Sequence, residues 1–171
     1  MRIETENLIL IPGTTNLLTS AIQGNDFLSK ALGYVVCPDW TEFGVAPLAY
    51  TLEILTQSEN ENGWWTYFPI HTVDQKLIGS CGYKGRPTPD GMVEIGYEVC
   101  PEYRQKGFGT EIANGLLTHA FNDELVKLVI AHTLPMENPS TKILRKLSFK
   151  KVCEIVDPED GVIWRWELKK P

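Results

Sequence analysis

The chain lacks a bilayer-length apolar run. The apolar piece at 8–11 is too short for the core of a signal peptide, and nothing elsewhere could span a membrane. It holds 4 cysteines, Cys37, Cys81, Cys100 and Cys153, far apart and with no C-x-x-C or Cys/His cluster. That spacing excludes the usual zinc frameworks, so no metal is expected, and it fits reduced, mostly buried thiols in a cytoplasmic protein. There is no basic run, and the net charge is -6, which argues against a nucleic-acid binder. There is no G-x-x-x-x-G-K-[ST] loop and no third glycine of a dinucleotide fingerprint. Repeats, low-complexity tracts and linkers are also missing. What is left is an ordinary mix, 43% apolar and 22% charged over 171 residues, enough for one domain spanning 1–171 with its own core.

The hydrophobic pattern predicts a strand at 8–11, stopped by Pro12-Gly13. A helix capped by Thr14 or Thr15 runs to about residue 23, and a short one covers 26–32. Residues 37–44 read as a loop, and Pro47 opens a helix to about 57. After a polar turn at 58–63, strands at 64–71 and 76–84 pair as a hairpin, and 86–91 turns the chain into a strand at 92–100. A helix carries Ile112, Ala113, Leu116, Leu117, Ala120 and Phe121 on one stripe. A strand at 126–133, a helix at 140–147 and strands at 149–156 and 162–168 complete the chain. This order is mixed α/β, without regular βαβ alternation.

The informative stretch is 93–121, VEIGYEVCPEYRQKGFGTEIANGLLTHAF. A β-branched strand ends in a proline and a basic glycine loop, Arg104-Gln105-Lys106-Gly107-Phe108-Gly109, and an amphipathic helix follows at once. Glycines let the main chain approach a ligand, and free N–H groups at a helix N-terminus grip an anion such as pyrophosphate. Taken alone, R-x-x-G-x-G is better explained by a tight strand-to-helix turn with solvated basic residues; the strand before it and the stripe after it, both where a ligand loop requires them, shift the reading toward an anion site.

EIGYEVCPEYRQKGFGTEIANGLL resembles the central motif of the GNAT N-acetyltransferases, especially their RimJ/RimL-like branch. ETENLILIP is similar to that branch's opening strand, LIGSCGYKG to its second hairpin strand, and VIAHTLPMENPSTKILRKLSF to its second cofactor motif. The resemblance implies an α/β (α+β) fold with a single mixed, mostly antiparallel twisted sheet and helices on both faces. It implies acetyl-CoA, with pyrophosphate on the N–H groups of Gln105, Lys106, Gly107, Phe108, Gly109 and Thr110 and with Arg104 adding charge. The pantetheine would run along Val99 and Cys100 and meet Asn138 where two central parallel strands splay; by local chemistry alone, Ser140 before a helix reads as its N-cap. The acetyl group would pass by direct attack to a primary amine, a protein N-terminus or a small molecule. A homodimer is a family-level expectation. A non-catalytic acyl-CoA-binding or sensing module and a general nucleotide-binding domain stand as rivals.

Acetyl transfer needs a neutral amine. A lysine amine is only about 0.1% neutral near pH 7.5, and an α-amine roughly a quarter, so a base is useful. Glu94 stands where several GNAT members carry a catalytic Glu, and it reads either as that base or as a solvent-facing strand residue. Alternation puts Glu94, Gly96 and Glu98 on one face and Val93, Ile95, Tyr97 and Val99 on the other. A bulge common in the family would move Glu98 but not Glu94. A main-chain N–H near Val99 would steady an oxyanion. Where many members carry a Tyr acid this chain has Leu144, which leaves Ser140 or water to protonate the thiolate; Ser148 replaces a Gly usual before Phe149. Of the 3 histidines, His71, His119 and His132, His119 reads as a surface residue and His132 as structural, near the cleft. The aromatic residues Trp64, Trp65, Tyr67, Phe68, Trp164 and Trp166 read first as core. The acceptor loops, 33–44 and 58–63, carry no recognisable code.

Overall fold

In the computed structural model, which describes residues 2–58, 61 and 63–171, ten strands form one open, mostly antiparallel sheet. The described elements are β1 (Ile3–Glu4), β2 (Leu8–Pro12), α1 (Thr15–Gln23), α2 (Asn25–Leu32), β3 (Val35–Val36), α3 (Ala46–Gln57), β4 (Thr66–His71), β5 (Lys76–Leu77), β6 (Gly79–Tyr83), β7 (Met92–Val99), α4 (Phe108–Asn122), β8 (Leu128–Thr133), α5 (Pro139–Lys146), β9 (Lys150–Asp157) and β10 (Gly161–Lys169). The sheet order is β1-β2-β4-β6-β7-β8-β10-β9, with β5 against β4 and β3. Its one parallel join on that path is β7 with β8. The expected turn at 58–63 includes residues 59, 60 and 62, which lie outside the described residues.

Local chemistry explains the elements. Thr14 accepts the Leu17 N–H and opens α1, and the αL Gly33 closes α2. The expected single strand at 76–84 is two strands. The β4 register slips by one between its pairing with β5 and its pairing with β6, next to Pro69, which has no N–H to offer a ladder. Among the described residues no helix is long and apolar enough to cross a membrane.

Helices lie on both faces of the sheet. The Thr51 hydroxyl of α3 meets Thr66, whose neighbours in register are Gly82 and Gly96. That is the Glu94 face. On the opposite face the Tyr83 hydroxyl donates to the Leu116 carbonyl of α4. The core between sheet and helices is fully buried at Leu8, Leu10, Tyr67, Phe68, Ile70, Ile112 and Leu116. Glu111, in the first turn of α4, clamps the N-terminal hairpin. Its carboxylate accepts from the Thr5 hydroxyl and the Asn7 N–H, both at 2.6 Å. Burial raises the Glu111 carboxyl pKa, but these hydrogen bonds outweigh it and hold the net value below the usual range.

Candidate active site

Three features of the backbone build the site. The first is a parting of strands. Pairing between β7 and β8 runs Met92↔Leu128, Val93↔Val129 and Glu94↔Ile130, then stops, although both strands continue. Beyond that point β7 stays with β6 while β8 stays with β10. Lys84 N–H bonds the Glu94 carbonyl and Cys100 N–H bonds the Ile78 carbonyl, so the even-numbered residues of β7 turn their backbone polar groups to β6. In an antiparallel ladder the alternate residues face the other way. The main-chain groups of Tyr97 and Val99 therefore look toward the side from which β8 has withdrawn.

The second feature is the loop. Gln105 has φ +60° and Gly107 φ +90°, two left-handed residues flanking Lys106, a local geometry that turns successive N–H groups to one side. Gly107 is the N-cap of α4 and supplies no side-chain cap. The first bond inside the helix is Glu111 N–H to the Gly107 carbonyl, so the amides of Phe108, Gly109 and Thr110 have no partner within the helix. A Cβ on Gly107 would meet nothing within 4 Å. This cradle fits an anion at a helix N-terminus. Arg104 is drawn to the cleft edge: its Nε donates to the Val99 carbonyl at 2.9 Å and its guanidinium pairs with Glu42. Lys106 Nζ stands 5.0 Å above the Tyr103 ring. Cys100 is buried, which, with the neighbouring Cys37 thiol, pushes its pKa up to about 12 and keeps it a thiol.

The third feature is α5, which starts at the far side of the parting. Asn138 is its N-cap: Oδ1 accepts the Thr141 N–H at 3.0 Å, and Thr141 Oγ1 accepts the Asn138 N–H at 3.0 Å. This corrects the expectation that Ser140 is the cap. Pro139 holds the first helical position, so the cap falls on the residue before it. The Asn138 Nδ2 amide is not used by the cap. Ser140 lies instead beside Tyr97, whose hydroxyl is buried with no hydrogen-bond partner among the described residues. Burial pushes that phenol above its ordinary value, and the Ser140 hydroxyl pulls the other way. Leu144 is buried in the helix face.

Glu94 sits at the head of the parting and bridges it. Its Oε1 meets His132 Nδ1 of β8 at 3.0 Å and Lys84 Nζ at 2.6 Å. The Glu94 side chain is 17% exposed, whereas Lys84 is 67% exposed. His132 Nε2 is buried with no partner among the described residues. Asp157 lies near both Lys84 and His132. The amides of Asp160 and Glu159 hold its carboxyl below the usual range, and those two side chains lower it further.

Two other expectations change. The β6–β7 register runs without a shift from Ile95 to Val99, so the family-type bulge is absent and Glu98 shares the Glu94 face. Glu98 accepts from Thr41 Oγ1 at 2.7 Å, Glu42 N–H at 2.7 Å and Ser80 Oγ at 2.6 Å, tying the 37–44 loop over the strand. His119 is half-buried rather than a surface residue. It packs on Trp64, Tyr67 and Tyr83 and meets the Tyr83 hydroxyl at 2.9 Å, and burial lowers its pKa. The sequence reading did not anticipate Lys84 or Tyr97 at the site. Lys84 follows from counting across the hairpin, because it stands opposite Glu94. A groove of about 450 Å³ lies apart from these residues, between the N-terminal strand and α4, lined by Thr5, Glu111, Asn114 and Thr118. It holds none of the chemistry described above.

The family model for the acetyltransferase (GNAT) domain matches residues 38–150. The chain belongs to the GNAT acetyltransferase family. It is 30% identical over 149 residues to the uncharacterized N-acetyltransferase YjdG of Bacillus subtilis (strain 168), a match covering 86% of this chain and 88% of that protein. Solved structures agree on the fold. The chain is similar, at TM-score 0.70 and 14% identity over 99% of this chain and 98% of that one, to RimL, a ribosomal L7/L12 alpha-N-protein acetyltransferase in complex with coenzyme A. It is equally similar, at TM-score 0.70 and 15% identity over 96% of both chains, to a spermidine N-acetyltransferase SpeG chimera from Vibrio cholerae and hSSAT. Membership in GNAT makes the chain a transferase of acetyl groups.

Proposed function

We propose that residues 1–171 act as one RimJ/RimL-like domain that carries an acetyl group from acetyl-CoA to a primary amine, either a protein N-terminus or a small molecule. The observation that carries this reading is the parting of β7 from β8, with the open amides of α4 near its far end and an ammonium-bearing carboxylate at its head. The amides from Gln105 to Thr110 would hold the pyrophosphate, with Arg104 and Lys106 adding positive charge. Val99 would offer its N–H to the pantetheine or to the thioester oxygen, beside Cys100, and Asn138 would reach the arm through Nδ2. When bound, acetyl-CoA supplies an activated acyl carbon and a thiolate leaving group.

The rest is done by side chains of this chain. Glu94 accepts the amine proton, held in place by the His132 Nδ1–H. Ser140 gives the thiolate its proton, with the buried Tyr97 hydroxyl next to it. Lys84 Nζ, itself a primary ammonium at 2.6 Å from Glu94, supports the reading of an amine at this carboxylate.

The test is release of free thiol from acetyl-CoA over a panel of N-terminal peptides, polyamines and aminoglycosides. Thiol release that depends on one of these amines is expected. Heat of acetyl-CoA binding without release on any of them would favour the acyl-CoA-binding module instead.

A further inference from the structure

We infer that Lys84 is an internal acceptor: in the absence of a free amine, the chain acetylates its own Lys84 side chain. The inference rests on the acetyl-transfer reading above and goes beyond it. Three observations carry it. First, Lys84 Nζ lies 2.6 Å from Glu94 Oε1, the position an acceptor nitrogen must occupy to give up a proton to that carboxylate. Second, the pair is unlike an ordinary cross-strand ion pair, in which both partners sit in water. The Glu94 carboxylate is 17% exposed and is shared with His132 across the parting, while the lysine stem comes in from solvent at 67% exposure. Third, Glu94↔Ile130 is the last β7–β8 pair, so the lysine nitrogen stands at the head of the opening along which the thioester arm would lie.

Other described lysines are held elsewhere: Lys76 by Glu102, Lys106 over Tyr103, and Lys151 by Glu154 and the Trp164 ring. None of them has a half-buried base at the parting. With acetyl-CoA bound, nucleophile, base and acyl carbon would stand in one complex and the step would be unimolecular, which is where most of its advantage would come from.

In the step, the lysine nitrogen forms a bond to the acyl carbon and the carbon–sulfur bond breaks. The nitrogen sheds two protons. One leaves through Glu94 to water and the other goes to the departing thiolate. The products are N-acetyl-lysine, the CoA thiol and one proton. The modified side chain is neutral and longer, so it releases the Glu94 carboxylate for an outside amine. Self-acetylation would thus open the acceptor position.

The experiment incubates the full chain with carbon-13 acetyl-CoA and no amine, digests it and maps acetyl-lysine by mass spectrometry. Lys84 is expected to be labelled at least tenfold faster than any other lysine, at a rate independent of protein concentration. The Lys84→Arg chain should lose that peptide's label, and Glu94→Gln should slow it at least tenfold. Slow label spread evenly over the surface lysines, a different lysine in the lead, or a rate that rises with protein concentration would overturn the inference. Calorimetry with acetyl-CoA and thiol release on added amines separate the two readings. If both succeed while Lys84 stays unmodified, only self-acetylation is wrong. If neither gives a signal and Lys84 stays unmodified, the acetyl-transfer reading falls with it.

Discussion

Replacing Glu94 with Gln is expected to lower kcat for acetyl transfer by about 10²–10³-fold while the acetyl-CoA dissociation constant stays within about twofold. Glutamine has the same shape, and its amide oxygen can still take the hydrogen bonds from His132 Nδ1 and Lys84 Nζ. What it cannot do is accept a proton. The loss should therefore fall on the chemical step and leave the distant α4 amides untouched. Steady-state kinetics on the amine that thiol release selects, paired with calorimetry, measures both quantities. An unchanged kcat would remove Glu94 from the proton path and leave it as the partner of Lys84 and His132 only. A stability effect is separable, because Glu94 is not in the core cluster and the melting temperature of the variant reports on it directly.

The second large effect is expected at Gly107. Its φ of +90° is left-handed, and a β-branched side chain resists that conformation. Gly107→Val should therefore pull the N-cap of α4 out of its present shape at a cost on the order of 1–3 kcal/mol. A Cβ there meets no other atom within 4 Å, so the substitution causes no clash in the core and the fold should survive. The damage goes to the orientation of the Phe108, Gly109 and Thr110 amides, and to the space in front of them. Acetyl-CoA affinity should drop at least tenfold, which is about 1.4 kcal/mol. Gly161→Val is the control. Gly161 also has positive φ, +71°, and open surroundings, but it lies in the β9–β10 hairpin. That variant should lose some thermal stability and bind acetyl-CoA normally. Equal loss of affinity in both variants would mean that the effect at Gly107 is general destabilisation.

The elements that could be read from sequence were those with local causes. Thr14 before a periodic stripe, Pro47 near a helix start and Gly33 after one are decided by neighbours within a turn or two. The glycine loop was legible for the same reason, since strand, turn and helix follow one another without interruption. The two-residue strands β1 and β3 were not, because such short pairings exist only where a partner strand offers its backbone. The expectation of Ser140 as the cap missed a local signal, Pro139, whose place at the first helical position sets the cap on Asn138.

The site itself was only half legible. Glu94 could be placed on a face, but its bond to His132 joins residues 38 apart in sequence and depends on the parallel register of β7 and β8. Glu98 meets Thr41 and Glu42 across 57 and 56 residues, a contact that no period in the sequence encodes. Tyr97 shares a face with Val99 as the alternation says, yet its closeness to Ser140 joins β7 to α5 across a stretch of chain that no local period encodes.

The claim on which the rest depends is that the α4 amides hold a diphosphate while the parted strands admit the acyl arm. Titrating coenzyme A into nitrogen-15-labelled chain and following the backbone amides tests it most directly. The account predicts the largest shifts at Gln105, Lys106, Gly107, Phe108, Gly109 and Thr110, with a second set at Val99, Cys100 and Asn138. Shifts confined to the groove lined by Thr5, Glu111, Asn114 and Thr118, with the α4 amides unmoved, would contradict it.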